Sequence, residues 1–267
     1  MHEELTSRVV LITGASAGIG AATARELARA GCRLALAARR TERLEELAQE
    51  LRARHNSEVF VHAVDLQEAD QVGGMVEAVF RRFGRLDVLI NNAGLLRMAP
   101  LLAMPLDEME QLMNTNFWAV VHAVRAAAPL MARQGGGHII NVASVVSRRG
   151  LPYMAVYAAT KWALAGLTES VRVELAAENI RFTTVYPGAI DTDMPRNLDR
   201  SRLPASYPNH GRSRVPPERV AQAIARAVRR QPLEVYVPAW LRYAAWGCAI
   251  FPALMDHYLR RHYKTRA

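Results

Sequence analysis

The chain has 267 residues, of which 51% are hydrophobic, and a formal net charge of +9. This length and composition fit one large globular domain with a packed core. No helical pattern carries a basic face with interleaved aromatic residues, so we expect no nucleic-acid partner. The two distant cysteines exclude a disulfide framework of the secreted type. Residues 1–8 contain no apolar run, and we therefore expect a cytoplasmic protein without a signal peptide.

Short apolar runs alternate with helical patterns along most of the chain. The predicted strands are Val9–Thr13, Leu34–Ala38, Val59–Val64, Val88–Asn91, His138–Ala143, Arg181–Tyr186 and Val235–Val237. The predicted helices are Ile19–Ala30, Glu42–Arg54, Ala69–Phe83, Leu106–Met131, Val156–Ala177 and Glu218–Arg229. This alternation predicts a single doubly wound α/β domain over residues 1–238, with a parallel sheet of about seven strands and helices on both faces. Ligands of such sheets bind at the carboxyl ends of the strands.

Three glycines follow the first predicted strand, in the segment Thr13-Gly14-Ala15-Ser16-Ala17-Gly18-Ile19-Gly20. Glycines at this position let the backbone approach a pyrophosphate, and the next helix directs its free N–H groups at the phosphate. The alternative is an ordinary strand-to-helix turn. The spacing of the glycines, four and then two residues apart, differs from the common dinucleotide fingerprint. It resembles that of the short-chain dehydrogenase/reductase family, which implies a Rossmann-like fold and a nicotinamide cofactor held by this segment.

The end of the second strand indicates which nicotinamide cofactor binds. Sites that prefer NAD hold the ribose hydroxyls with an acidic residue, whereas this strand ends in Ala37-Ala38-Arg39-Arg40. Arg39 is the first candidate to bind a 2′-phosphate, because a guanidinium can donate two parallel hydrogen bonds to it. Arg40 and the Ser16 hydroxyl would add contacts, and we therefore predict NADP(H). Alternatively, both arginines are solvated and begin the next helix.

Two further segments complete the cofactor site by resemblance. Asp65 and Leu66 follow the third strand, where the family contacts the adenine ring. The run from Asp65 to Glu68 is also typical of a helix capping box, and both roles are compatible. The segment Asn91-Asn92-Ala93-Gly94 closes the fourth strand, where the family borders the adenosine half of the cofactor and stabilises the sheet. Alternatively, its Asn and Gly residues suit a turn.

Tyr157 and Lys161 lie four residues apart in a predicted helix, so both occupy one face, one turn apart. Reduction of a carbonyl needs a proton for the oxygen as the hydride reaches the carbon. A phenol has a pKa of about 10, and a nearby ammonium that lowers it by ~3 units contributes ~4 kcal/mol. The pair therefore predicts Tyr157 as acid/base and Lys161 as the group that lowers its pKa and also holds the nicotinamide ribose. Both residues are expected to contact the cofactor.

Two residues complete a catalytic tetrad by resemblance. Ser144 ends the fifth strand, 13 residues before Tyr157, and its hydroxyl would bind the developing oxyanion. Asn116 matches the family's fourth catalytic position, where it would hold a water that links Lys161 to solvent. Tyr153 lies two helical turns before Lys161, too far to couple with it, and is interpreted as a residue of the substrate cleft or the core.

The segment Pro187-Gly188-Ala189-Ile190-Asp191-Thr192 follows the sixth strand and resembles the family's nicotinamide loop. Thr192 would lie near the carboxamide, with the backbone of Ile190 alongside. The resemblance covers about residues 8 to 192 and implies hydride transfer between NADPH and a carbonyl or alcohol carbon. It also implies a homodimer or homotetramer, since the long helices after the fourth and fifth strands pair between subunits in this family.

Two stretches lie outside the alternating pattern. Residues 193–217, rich in Pro, Arg, Ser and Asn, predict an irregular lid whose arginines either meet an acidic head group or are solvated. These are Arg196, Arg200, Arg202, Arg212 and Arg214. Residues 239–267 predict an apolar and basic extension whose uncharged run, Tyr243 to Met255, is too short to span a bilayer. It fits an anionic membrane surface, a cover over an apolar pocket, or a second subunit, and we expect a bulky or lipid-like substrate.

The other chemistries that the sequence allows are few. The histidines and cysteines show no recognised metal-ligand spacing, and we expect no metal. Two alternatives to an enzyme remain. One is a non-catalytic NADPH-binding regulatory protein, and the other is a protein that associates with a membrane surface through its C-terminal extension. The intact tetrad argues against the first alternative.

Overall fold

The computed structural model describes residues 5–196, 199–204, 207 and 214–263. Its strands are β1 (Val9–Thr13), β2 (Arg33–Ala38), β3 (Val59–Ala63), β4 (Val88–Asn91), β5 (Gly137–Val142), β6 (Ile180–Pro187) and β7 (Glu234–Val237). Its α-helices are α1 (Gly18–Arg29), α2 (Thr41–His55), α3 (Ala69–Phe83), α4 (Leu106–Met113), α5 (Ala119–Arg133), α6 (Ala155–Glu174), α7 (Asp193–Arg196), α8 (Pro217–Arg230), α9 (Leu241–Ile250) and α10 (Pro252–Tyr263).

The seven strands form one parallel sheet in the order β3-β2-β1-β4-β5-β6-β7. The strand order reverses between β1 and β4, which opens a crevice at their carboxyl ends. This confirms the predicted doubly wound fold, and the predicted strands match the observed ones to within one residue at each end. The strands are easy to predict because runs such as β1 are buried over their whole length.

Helices cover both faces of the sheet. On one face α1, α2 and α8 pack their apolar stripes against the strands, as Val220, Ile224 and Val228 of α8 do. On the other face α3, α5 and α6 form a second apolar layer. The two layers bury the sheet and leave its carboxyl edge as the place where loops gather.

Two local predictions are corrected by the structure. The single helix predicted over Leu106–Met131 is interrupted by a π-helical stretch, Asn114–Trp118. Apolar periodicity did not reveal the π turn, because the stretch is only five residues long and the helices on both sides of it keep their own 3.6-residue pattern. The capping box at Asp65 is also wrong, since α3 begins only at Ala69. The Asp65 carboxylate instead accepts a hydrogen bond from the backbone N–H of Gln67 at 3.1 Å.

The two stretches outside the alternating pattern also contain helices. The predicted lid begins with the short α7, and Ile190 forms a parallel bridge with Val215 at its far end. Arg212, Lys264, Arg266 and the side chain of Arg196 lie outside the described residues. The extension folds as α9 and α10, and Pro252 begins the second of them. Across the described ranges, no helix is both long and apolar enough to cross a bilayer.

Candidate active site

The glycine motif lies at the reversal point of the sheet. Gly14 and Gly18 have φ angles of +67° and +54°, in the left-handed region that favours glycine. A Cβ on Gly14 would lie 2.8 Å from the Cα of Ala93, and one on Gly20 would overlap the carbonyl oxygen of Gly14. The motif therefore packs directly on the segment that follows β4.

Thr13 fixes these two segments to each other. Its Oγ1 accepts hydrogen bonds from the backbone N–H groups of Asn92 and Ala93, at 3.1 and 3.2 Å. The Asn92 amide donates in return to the Thr13 carbonyl at 2.9 Å. No separate role was predicted for Thr13, although its place at the end of β1 is where such a contact would form.

The start of α1 offers an anion site. Its N-cap residue, Ala17, has an extended backbone with no capping side chain, and the first turn contains no acidic residue. Its N–H groups are therefore available to a phosphate. A Cβ on Gly18 would lie 3.0 Å from Cγ2 of Thr192, so the loop after β6 covers this helix end. Together the bare helix end and the glycine cradle fit the pyrophosphate of a dinucleotide.

Both arginines at the end of β2 are exposed and flank this cradle. Arg40 donates from Nη2 and Nε to the Ser16 hydroxyl, at 3.0 and 3.3 Å. Arg39 instead directs Nη1 toward the Asp65 carboxylate, at 3.9 Å. The sequence favoured Arg39 as the first phosphate ligand, whereas the structure joins Arg40 to Ser16. Leu66 is partly buried against the apolar layer on the α3 side of the sheet.

The catalytic candidates meet at the carboxyl ends of β4 and β5. Tyr157 and Lys161 lie in the first half of α6, and the Tyr157 hydroxyl lies beside the side chain of Ser144. Lys161 is buried and donates from Nζ to the carbonyl of Val142 at 2.9 Å. Ser144 accepts from the backbone N–H of Val146 at 3.3 Å, which holds its side chain at the end of β5.

Asn116 lies in the π-helical stretch and is fully buried. Its side chain exchanges two hydrogen bonds with the backbone of Leu95, at 2.7 and 2.9 Å. It also donates to the Thr160 hydroxyl at 3.1 Å, and that hydroxyl donates to the Tyr157 carbonyl. Thr160 is thus a positioning residue that the sequence analysis missed, because a threonine inside a helix gives no distinctive signal.

Gly94 is where the two halves of the site come together. A Cβ at this position would lie 3.2 Å from Oδ1 of Asn116 and 3.5 Å from Nζ of Lys161. The absence of a side chain therefore lets the cofactor segment after β4 approach the catalytic groups. Asn116 and Lys161 therefore lie next to the segment on which the glycine motif packs, at the carboxyl edge of the sheet.

Burial controls the protonation of the catalytic pair. It raises the pKa of Tyr157 to about 12, although the hydrogen bond with Ser144 opposes this rise. Burial lowers the pKa of Lys161 to about 8. The sequence predicted a lowered phenol pKa, and the structure gives the opposite direction, because the loss of hydration around the phenolate dominates. At neutral pH Tyr157 is thus protonated while Lys161 is mostly cationic.

A network of buried amide and hydroxyl side chains lies next to the catalytic residues and connects the elements that carry them. Asn91 of β4 donates to Asn141 of β5 at 2.8 Å, and Asn141 donates to Thr168 of α6 at 2.9 Å. These side chains are buried, so each hydrogen bond satisfies a group that would be costly to leave unpaired. The network links β4, β5 and α6, which carry or flank the catalytic groups.

The loop after β6 joins the C-terminal extension. Pro187 ends β6, and the N–H of Gly188 donates to the Val237 carbonyl at 2.9 Å. A Cβ on Gly188 would lie 2.8 Å from Cδ1 of Leu241, so α9 packs closely on this loop. Ile190 is buried, and Thr192 lies over the start of α1.

Three tyrosines meet between the loop after β5, the lid segment and α10. Tyr153, with a φ angle of +67°, faces Tyr207 of the lid segment with ring centroids 5.6 Å apart. Tyr207 in turn contacts Tyr263 of α10 at 5.4 Å. An ion pair between Arg149 and Asp256 also ties the loop after β5 to α10. The described part of the chain shows no cluster of three or more His, Cys, Asp or Glu that could hold a metal ion.

Comparison with known proteins gives a consistent result. Residues 8–203 match the family model described as short chain dehydrogenase. The chain is 34% identical to 11-beta-hydroxysteroid dehydrogenase A of Sesamum indicum, over 98% of this chain and 77% of the relative. Several relatives with higher identity are uncharacterized oxidoreductases.

Solved structures share the fold as well. An alcohol dehydrogenase from the archaeon Thermococcus sibiricus, complexed with 5-hydroxy-NADP, has a TM-score of 0.77 and 33% identity, covering 86% of this chain and 95% of its own. A short chain dehydrogenase/reductase from Burkholderia phymatum in complex with NAD has a TM-score of 0.83 and 25% identity, covering 94% of this chain and 96% of its own.

Proposed function

Because this chain belongs to the short-chain dehydrogenase/reductase family of oxidoreductases, we propose that it is an NADPH-dependent reductase of bulky or lipid-like carbonyl compounds. The observation that carries the proposal is the placement of the Tyr157 and Ser144 side chains beside each other, at the edge of the sheet that holds the glycine motif. Two hydroxyls at the carboxyl edge of the sheet, with a buried cation one turn away, suit the binding and protonation of a carbonyl oxygen.

The cofactor site supports a nicotinamide dinucleotide, and its outer edge favours NADPH. The glycine cradle and the start of α1 would hold the pyrophosphate, with Asn92 to Gly94 behind it. Arg40 and Ser16, with Arg39 alongside, would bind the 2′-phosphate. The Thermococcus structure contains an NADP derivative and the Burkholderia structure NAD, so the preference of this chain rests on its own arginines.

The catalytic residues then divide the work of reduction. Bound NADPH would supply a hydride to the carbonyl carbon. Ser144 and Tyr157 would donate hydrogen bonds to the carbonyl oxygen, and Tyr157 would transfer its proton to that oxygen. Lys161 would stabilise the phenolate that results, through its positive charge. Asn116 would hold the backbone after β4 in place, and it would position the water that links Lys161 to solvent.

The proposed substrate class rests on the substrate side of the crevice. Tyr153, Tyr207 and Tyr263 meet there and present aromatic rings rather than charges. Aromatic side chains bind apolar bodies through large contact areas. The Sesamum relative is named for a hydroxysteroid, which is consistent with a substrate of this size.

The test follows NADPH absorbance with purified protein and a panel of ketones and aldehydes, from small polar compounds to long-chain and steroid-sized ones. We expect turnover to favour the large apolar members, to prefer NADPH over NADH and to require Tyr157, with Tyr157→Phe as the inactive control. NADPH binding without turnover of any compound would favour a regulatory NADPH-binding protein. Turnover that survives Tyr157→Phe would contradict the assigned chemistry.

We also propose a homodimer or homotetramer formed through α5 and α6. Trp162 of α6 and Trp118, at the start of α5, are both about half exposed, which is unusual for tryptophan on a solvated surface. Light scattering on the wild type and on Trp162→Glu tests this. A mass of two or four chains that falls in the variant is expected, and a monomeric wild type would contradict it.

A further inference from the structure

The two C-terminal helices leave one large apolar face in solution. On α9, Tyr243, Trp246 and Ile250 recur at spacings of three and four residues, so they share one side of the helix. Their side chains are 69%, 57% and 67% exposed. The rings of Tyr243 and Trp246 contact each other at 5.8 Å. Arg242, the one charged residue of α9, lies beside Trp246 and directs its guanidinium onto the Tyr236 ring.

The face continues on α10. Phe251, just before the helix, and Leu254 and Tyr258 within it are also mostly exposed. Leu259 and Tyr263, on the other side of α10, are buried. One side of the helix is therefore packed on the protein while the other presents apolar side chains. We call the six exposed residues the apolar face: Tyr243, Trp246, Ile250, Phe251, Leu254 and Tyr258.

The charges of the described part of the extension are mostly positive. Residues 239–263 contain three arginines and one aspartate, a formal charge of +2. The single acid, Asp256, forms an ion pair with Arg149. Arg261 lies three residues after Tyr258 and seven after Leu254, which places it on the same side of α10. An apolar band with aromatic rings and a cationic edge thus faces outward.

We propose that the apolar face docks on an anionic membrane surface. Tyr and Trp rings favour the boundary between head groups and acyl chains, and arginines beside them are attracted to anionic lipids. A second copy of the chain fits this face less well. A two-fold contact would bring the arginines of both copies together, and the one carboxylate available is already paired with Arg149.

Docking in this orientation brings the crevice to the lipid. The inner side of the same helices contacts the site, through Leu241 against Gly188 and Tyr263 against Tyr207. A substrate dissolved in the bilayer would therefore reach the crevice along the edge of α10. This consequence rests on the proposed reductase function, whereas docking itself does not.

The experiment is co-sedimentation of the full chain with vesicles of phosphatidylcholine alone or of phosphatidylcholine mixed with phosphatidylglycerol. We expect at least tenfold tighter binding to the anionic vesicles, with weakening as salt is added. Tyr243→Glu/Trp246→Glu/Leu254→Glu should weaken binding at least 100-fold. Arg260→Ser/Arg261→Ser should weaken it about fivefold per arginine, the value expected for one basic residue at an anionic surface.

Matched controls separate the face from a general effect of charge. Leu233→Glu adds a carboxylate at a well-exposed apolar position just before β7, and Arg54→Ser/Arg81→Ser removes two exposed arginines from α2 and α3. Both should bind vesicles like the wild type, and NADPH titration and circular dichroism verify that each variant is folded. No reductase activity is needed for any arm of this test.

Three results would overturn the proposal. The first is a wild type that does not bind anionic vesicles. The second is a triple glutamate variant that binds them as tightly as the wild type does. Alternatively, light scattering would show that the triple variant loses half the mass of the wild type, which would assign the apolar face to a second copy.

Discussion

The catalytic half and the cofactor half of the crevice are built in different ways. In the catalytic half, Asn116, Ser144 and Lys161 are buried, and each is hydrogen-bonded by other groups of the same chain. In the cofactor half, Arg39 and Arg40 are exposed, and the start of α1 has no cap. The protein therefore sets the catalytic geometry in advance and leaves the contacts of the other half to be completed by a ligand.

This difference has an energetic basis. A buried polar group without a partner costs about 1–3 kcal/mol, so a fixed catalytic geometry requires internal partners. An exposed guanidinium costs little without a ligand and gains charge-assisted hydrogen bonds when a phosphate arrives. Substitutions in the catalytic half should affect turnover, and in part stability, whereas those at the exposed edge of the cofactor half should affect affinity alone.

The largest effect is expected for Tyr157→Phe. Loss of the phenol removes the proton donor, and we expect kcat for carbonyl reduction to fall about 10³-fold, within the range for general acid–base groups. NADPH absorbance with the best ketone of the panel gives the measurement. Tyr153→Phe is the control, because it removes a hydroxyl from the same segment without touching Ser144. If Tyr157→Phe keeps more than a tenth of the wild-type kcat, Tyr157 is not the proton donor and the separate role of the catalytic half is contradicted.

The next effect is expected for Gly14→Ala. The added Cβ meets the Cα of Ala93 at 2.8 Å, and the left-handed φ of +67° disfavours alanine. A strain of about 1–3 kcal/mol should lower the melting temperature and weaken NADPH binding roughly 10- to 100-fold. Gly74→Ala is the control, since a Cβ there meets nothing within 4 Å and α3 should gain up to about 1 kcal/mol. Equal behaviour of the two variants would contradict the packing described for Gly14.

The two arginines sharpen the comparison further. Arg40→Ala should weaken NADPH binding about 10-fold or more, because a charge-assisted hydrogen bond contributes about 1.5–3 kcal/mol, while NADH binding stays unchanged. Arg39→Ala should have a smaller effect, since its guanidinium leans toward Asp65. Fluorescence titrations with both cofactors measure this. A larger loss of NADPH affinity in Arg39→Ala than in Arg40→Ala would show that Arg39 is the main ligand of the 2′-phosphate.

The pH profile tests the protonation of the catalytic half. Burial lowers the pKa of Lys161 to about 8, so its charge is lost as the pH rises through that value. The phenolate left by proton transfer then loses its stabilising cation. We expect kcat for reduction to be level near neutral pH and to fall up to about tenfold per pH unit above the apparent pKa. A rate that rises between pH 8 and 10 would contradict this assignment.

The smallest effect on turnover is expected at the opposite edge of the sheet, where a substitution should change stability alone. Burial lowers the pKa of His138 to about 3, and its ring contacts the Thr183 hydroxyl at 2.9 Å. Between a pH of about 6.5 and 3, His138 is protonated in the unfolded chain but not in the folded one. The free energy of unfolding therefore falls as the pH falls. The loss is about 1.4 kcal/mol per pH unit. His138→Gln should show a weaker pH dependence in urea unfolding and unchanged kcat, and an identical dependence would contradict it.

The fold was largely predictable, and the site in part. Buried strands of Val, Leu and Ile are marked by composition, and the motif spacings of the glycines and of Tyr157 with Lys161 were sufficient to place them in one crevice. The Asn114–Trp118 π stretch was not predictable, because the backbone register of a helix leaves no trace in apolar periodicity. The partners of Arg39 and Arg40 were not predictable either, since neighbouring side chains on an exposed turn are separated only by the local backbone.

The separate roles of the catalytic half and the cofactor half are tested most directly by one experiment that includes a variant of each half. NADPH affinity and kcat are measured for the wild type, Tyr157→Phe and Arg40→Ala. We predict that Tyr157→Phe loses kcat with little change in its NADPH Kd, and that Arg40→Ala loses NADPH affinity with little change in kcat at saturating NADPH. If either variant loses both quantities to a similar extent, the two halves do not act separately and the account is contradicted.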